Sequence, residues 1–168
     1  SNVSNITNSS NYQFRIGNYY FESFAEVENL QYLYGNVTNP VLEVLQPEVV
    51  VNALWWNDFY ITSLTITTAI SRGDADPYKS LSGTKAVMKR GAGIADKNLF
   101  KFQGQQGDYR FENIILDGGW EENHTGIEAT QAIIKMEGAN TLRVELGNGC
   151  IIQNNCSTST DTENSGGG

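Results

Sequence analysis

The sequence predicts a mainly β chain: a short right-handed parallel β-helix (a β-solenoid) preceded by an N-terminal amphipathic capping helix. Three observations point that way. Charged residues are only 18% of the 168 and glycines number 17, a balance that favours strands and turns over a helical bundle. Beyond Pro40 the apolar residues come in short runs bounded by Gly, Asn, Asp or Pro, with nothing between them that reads as a crossover helix. The segment 98–119, NLFKFQGQQGDYRFENIILDGG, is then echoed by 132–155, AIIKMEGANTLRVELGNGCIIQNN.

The echo is close to phase-locked. Phe100, Lys101, Phe102 and Gly104 answer Ile134, Lys135, Met136 and Gly138 at an offset of 34. Arg110, Phe111 and Glu112 answer Arg143, Val144 and Glu145 at 33, and Ile114, Ile115 and Leu116 answer Cys150, Ile151 and Ile152 at 36. In a solenoid each strand copy lies above the last, so inward residues recur at one coil length and turns absorb small insertions. Phe100/Ile134, Phe102/Met136, Ile114/Cys150 and Leu116/Ile152 are therefore expected to stack inward. Lys101/Lys135 and Glu112/Glu145 are expected to face out, with Arg110 over Arg143 as a small cationic stripe within an exposed salt-bridge ladder.

Along the chain, residues 1–14 are polar and read as a flexible segment, and YQFRIGNYYF alternates as a short hairpin-like entry. Residues 15–40 form the expected N-terminal cap, with a helix over 22–34. Phe24, Val27, Leu30, Leu33 and Tyr34 share one face, Ser23 and Glu26 make a capping box, and Gly35 is a natural stop. That face is expected to bury against the first coil. Residues 41–156 carry the coils as VLEVLQ, EVVVNALW, FYITSLTITTA, KAVMKRG, LFKFQ, YRFENIILDG, AIIKME, TLRVELG and CIIQNN. Residues 157–168 read as a flexible Gly/Ser/Thr-rich tail or the start of a further coil.

The progression ITSLTITTA, KRGAG, LFKF, RFENIILDGG resembles right-handed parallel β-helix proteins of the pectate-lyase-like class. CIIQNN with the later SGGG is similar to the repeat of adhesin-like and polymorphic-membrane-protein surface β-helices. The resemblance covers about residues 41–168. It implies the fold far more than the function, since this architecture hosts both polysaccharide-active enzymes and non-catalytic surface proteins. It also implies either a piece of a longer solenoid or an open end covered by a partner.

The net charge of −8, with no Lys/Arg stripe, argues against a nucleic-acid partner, and no run of 18 apolar residues is present to span a membrane. Six Asn-X-Ser/Thr acceptors begin at Asn2, Asn5, Asn8, Asn36, Asn123 and Asn155. With the polar tail they point to an extracellular or cell-surface location. Cys150 and Cys156, six apart, are a disulfide candidate or two unrelated thiols. Asp74 and Asp76 of RGDADP, which also spells an RGD triplet, are weak calcium candidates, although turn chemistry alone explains them. Trp55, Trp56 and Trp120 are candidate platforms for sugar or protein contact, with packing under a helix or loop as the plainer role. Arg110 and Arg143 complete the candidate contacts. Asp117 is answered one copy later by Gln153, so no acidic ladder arises, and His124 sits in a polar loop. No catalytic constellation and no cofactor is indicated. The expectation is a non-catalytic surface or adhesin-like module for binding or assembly, against a polysaccharide-active enzyme module or a self-assembling filament subunit. Its partners would be further copies of itself, other surface proteins or extracellular carbohydrate. A neighbouring copy could dock Ser1 to Phe14 as an added strand on the last coil.

Overall fold

The computed structural model describes residues 11–24, 39–53, 55–57, 63–78, 81, 83–123 and 131–156. Among these residues eleven strands run in order: β1 (Phe14–Ile16), β2 (Tyr19–Phe21), β3 (Val41–Val44), β4 (Glu48–Val51), β5 (Trp55–Asn57), β6 (Ser63–Thr68), β7 (Ala86–Arg90), β8 (Phe100–Glu112), β9 (Ile114–Asp117), β10 (Ile134–Leu146) and β11 (Ile151–Gln153). A 3-10 turn spans Ala92–Ile94, and a four-residue helix, α1, spans Trp120–Asn123.

The strands form two sheets. The larger has seven strands in the order β10-β8-β6-β3-β1-β2, with β5 also on β8; the smaller is β11-β9-β7-β4. The smaller sheet is wholly parallel, and so are the pairings among β3, β5, β6, β8 and β10. β1 runs antiparallel to both β2 and β3, which makes the larger sheet mixed.

This corrects the expected β-helix. The described strands belong to two separate sheets, one of them mixed, and not to the coils of a solenoid. The physical reason lies in what a phase-locked repeat demands. It requires β10 to lie parallel beside β8, and β11 beside β9. Two sheets meet that demand without a coil. Phe102 is the register partner of Met136, and Leu116 of Ile152, both in parallel pairs. The expected capping helix over 22–34 lies almost wholly outside the described residues: Glu22 and Ser23 lie in a bend, Phe24 is helical, and 25–34, with Val27 and Leu30, fall outside them.

Alternation explains the strands. β6 buries every second residue (Leu64, Ile66, Thr68), as do β4 (Val49, Val51) and β7 (Ala86, Met88, Arg90). These inner faces meet in one core, in which Phe14, Phe100, Phe102, Tyr109, Phe111, Ile114 and Leu116 are fully enclosed. Aromatic rings run through it: Phe24 lies 5.6 Å from both Phe14 and Phe100, Phe100 packs edge-on to Phe111 at 4.9 Å, and Phe102 stacks on Tyr109 at 4.3 Å. The hairpin β1–β2, turned at Gly17 (φ 57°), closes the core at its N-terminal end together with Phe24.

Phe111 touches rings on two sides, so Phe111→Ala leaves a cavity that rigid strands cannot fill. Stability should fall by about 3–5 kcal/mol in urea unfolding; a loss under about 1 kcal/mol would show that the core collapses around the vacancy.

Candidate functional site

Two buried polar clusters and one open apolar surface carry the chemistry of the described residues. The first cluster lies on the face of β1 and β3 opposite the core. Arg15 alternates with Phe14 and Ile16, so it faces away from the core, yet it is fully buried. Its Nε and Nη2 donate to Glu43 at 2.8 and 3.0 Å in a bidentate pair. Nη1 donates to both oxygens of Asp76 at 3.2 Å, and Nη2 also donates to the Ile70 carbonyl at 2.9 Å. Tyr20 and Tyr78 stack at 5.8 Å, and each ring centre lies 6.0 Å from the guanidinium carbon. The cover is the turn 70–78, and Arg15 fastens it. Burial alone would lower the pKa of Arg15, but hydrogen bonds with Glu43 and Tyr20 and the charges of Glu43 and Asp76 raise it further above its ordinary value. Burial works to raise Asp76; backbone N–H groups of Tyr78 and Arg72 and the Arg15 charge outweigh it and hold the carboxyl below its ordinary value.

The same bonds settle the RGDADP turn. Asp76 is 8% exposed and committed to Arg15, while Asp74 is exposed. Arg72 donates to Glu43 and to the Gly17 carbonyl. Among the described residues no group of three or more His, Cys, Asp or Glu is placed to hold a metal ion.

The second cluster joins the strand ends β7, β9 and β11. Arg90 follows Ala86 and Met88 on the inward side of β7 and is fully buried. It donates to the carbonyls of Gly118 (3.0 Å), Lys97 (2.7 Å) and Gln131 (2.8 Å) and to the amide oxygen of Asn155. Burial pushes its pKa down to about 10, against the opposing charge of Asp117, so it stays protonated at neutral pH. Asp117 accepts from Gly119 N, Gln153 Nε2 and Asn154 Nδ2 at 2.8–3.0 Å. Asn155, a glycosylation candidate, thus uses its side chain to bind Arg90. A Cβ on Gly118 would sit 2.4 Å from the Asn154 carbonyl, so this crossing of β9 and β11 ends needs glycine.

Arg110 and Arg143 are exposed to half-exposed on the outer face, but they do not stack on each other. Between Gly138 and Thr141 the register slips, and Arg143 comes to lie opposite Asp108 while Arg110 lies opposite Glu145. Arg143 binds Asp108 at 3.1 Å and Arg110 binds Glu145 at 3.3 Å. The expected like-charge stripe is therefore an alternating ladder, and Glu145 faces Arg110 instead of Glu112. Facing like charges repel across a strand pair, and the register after the slip avoids that. Lys101 does face Lys135, and Glu137 bridges both at 2.9 and 2.6 Å.

The apolar surface lies at the other end. Ala132, Ile133, Ile134, Met136, Val144, Leu146, Ile152 and Asn155 line an open groove of about 390 Å³. Met136 is 49% exposed, Leu146 53% and Ile152 41%, whereas their register partners Phe102, Phe111 and Leu116 are fully buried. The groove is the surface where each sheet ends, on β10 and on β11. Its lining holds no carboxylate, so it offers no acid–base pair.

The other candidates are scattered. Cys150 and Cys156 are free thiols; Cys150 packs against the core, and burial pushes its thiol pKa up despite the charge of Lys85. Trp120 opens α1 and is partly exposed. Trp55 and Trp56 lie in β5, beside Phe100 and Lys101 of β8. Asn123 ends α1, and Asn2, Asn5, Asn8, Asn36 and His124 lie outside the described residues, as does 1–10 of the segment expected to dock as a strand. Its last residue, Phe14, is already paired within its own chain with β2 and β3. Sequence reasoning missed Arg15, Glu43 and Arg90. For Arg90 the alternation Ala86, Met88, Arg90 was a usable signal; for Arg15 nothing local marks the cover that buries it. The chain matches no protein-family model, no curated protein and no solved structure.

Arg15→Met keeps the bulk and removes the charge, leaving Glu43 and Asp76 buried without their guanidinium. Stability at about pH 7 should drop by about 3–5 kcal/mol. In the wild type, Asp76 contributes fully above its unfolded pKa, and the contribution is lost as pH falls through its depressed folded value. In the variant protonation relieves the buried Asp76 carboxylate instead, so the gap should narrow between about pH 7 and about pH 4. Urea titrations at both pH values check this; an unchanged gap would mean that Arg15 acts through packing alone.

Proposed function

We propose that this chain is a non-catalytic binding or assembly module of an extracellular or cell-surface protein, docking a protein partner on the open end of its two sheets. The observation that carries the reading is the contrast between the two ends. The N-terminal end is closed by a hairpin and Phe24, whereas the other exposes Met136, Leu146 and Ile152 around an apolar groove. A contiguous apolar patch beside strand edges that no described strand covers is the kind of surface through which β proteins recruit a further strand. Six glycosylation acceptors and a net charge of −8 without a basic stripe support display outside the cell over contact with nucleic acid.

An apolar dye such as anilinonaphthalene sulfonate tests the reading, because it fluoresces when an exposed apolar groove takes it up. The wild-type chain, diluted until it is monomeric, should bind the dye while fully folded, and Met136→Lys with Leu146→Lys should abolish most of the signal without lowering the melting temperature by more than a few degrees. A monomeric wild-type chain that binds no dye, or a variant that binds it undiminished, would remove the groove as a docking site.

A further inference from the structure

We propose that the partner on this surface is a second copy of the chain, joined by antiparallel pairing of the two β10 edges about a twofold axis at Asn140. The proposal rests on the docking reading above and names its occupant.

β10 is an edge strand of thirteen residues, IKMEGANTLRVEL, with no further strand on its outer side among the described residues. So long an edge calls for a partner or for protection. Its sequence is complementary to its own reverse. Antiparallel pairing about Asn140 sets Lys135 opposite Glu145 and Glu137 opposite Arg143, each twice in the dimer. The same register sets Ile134 opposite Leu146 and Met136 opposite Val144, all four of which line the groove. Charged residues thus meet opposite charges on the outer face while apolar residues meet over the groove. Neighbouring registers lose this. Sliding by two residues one way places Lys135 opposite Arg143; sliding the other way places Glu137 opposite Glu145. A parallel in-register pairing would set every charge against its own kind, which is unfavourable across a strand pair.

The charges in place have capacity for the added partner. Lys101 and Lys135 face each other, and Glu137 bridges the two like charges. The second copy would bring Glu145 directly across from Lys135, extending the ladder Arg110–Glu145 of its own chain. A twofold contact of this kind is self-complementary, the commonest arrangement among homo-oligomers.

Charge exchange tests it. By light scattering the wild-type chain should pass from monomer to dimer at micromolar concentration. Lys135→Glu alone, and Glu145→Lys alone, should each weaken the dimer by about tenfold or more, since each replaces two attractive pairs by two repulsive ones. The double variant restores opposite charges in both pairs and should dimerise within about threefold of the wild type. Circular dichroism melting of each variant ensures that the comparison is between folded chains. In an independent readout, Asn140→Cys with Cys150→Ala and Cys156→Ser should form an intermolecular disulfide on mild oxidation, because residues facing each other at the axis lie within disulfide reach. A dimer indifferent to both single exchanges, or a double variant no better than the singles, would overturn the pairing. A wild-type chain that stays monomeric while its groove still binds the apolar dye would overturn the self-pairing and leave the docking reading intact; loss of dye binding as well would remove both.

Discussion

The thirteen-residue strand β8 sets the constraint that the other strands answer. Both of its edges must find hydrogen-bond partners while Phe100, Phe102, Tyr109 and Phe111 are kept from water on one face. No single short strand can do this. β5 takes the first part of one edge and β6 the last part, while β10 runs along nearly the whole of the other. The larger sheet grows outward from β8 in both directions, and β9, leaving β8 at Asn113 (φ 44°), starts the rows of the smaller sheet that lie across the core. Burial of the four aromatic side chains would supply roughly 6–12 kcal/mol before entropy is counted. Every other strand that adds to the sheets protects part of that burial.

The two ends of the sheets use charge in opposite ways. At the N-terminal end Arg15, Glu43 and Asp76 are taken out of water, and the turn 70–78 is held over the sheet by bonds that lose their purpose if one partner goes. A buried ion cluster of this kind adds little stability over a well-packed apolar alternative, but it accepts one geometry only. The turn is therefore positioned more than it is strengthened. At the other end Lys135, Glu137, Arg143 and Glu145 stay in water on β10, where each pair contributes little by itself. There the charges select a register for whatever pairs with the edge, and the apolar row beneath them supplies the attraction.

Much of the strand plan was legible, because alternation and the repeat are local properties. The repeat placed Phe102 beside Met136 and Leu116 beside Ile152, and the run YQFRIGNYYF yielded the hairpin β1–β2. Two glycines misled. LFKFQ and YRFENIILDG read as separate strands, as did AIIKME and TLRVELG, yet β8 and β10 each run through the break. Gly104 and Gly138 are register partners inside the two continuous strands, and at nearby Gly107 the Tyr109 ring leaves no room for a Cβ. The architecture was not legible, since a repeat specifies neighbours within a sheet and is silent on whether the sheets join into coils. Nor was the alignment of Arg110: counting identities gave an offset of 33, whereas cross-strand charge pairing at the slip after Gly138 gives 35.

That slip also accounts for the form of the candidate site. The two residues between Gly138 and Thr141 stand against one on β8, and the extra residue moves Arg143 and Glu145 along β8 relative to Lys135 and Glu137. A bulge in an edge strand ordinarily discourages further pairing, because it breaks the row of amide and carbonyl groups offered to a newcomer. Here it lies at the middle of β10, beside Asn140, where a twofold partner would present the same irregularity. Two strands that each carry the irregularity at their centre can match across an axis through it, whereas a regular strand would meet it on one side only. The feature that protects β10 from indiscriminate strands is thus the one that a second copy of β10 accommodates, so attraction from the groove and selectivity from the edge reside in the same thirteen residues.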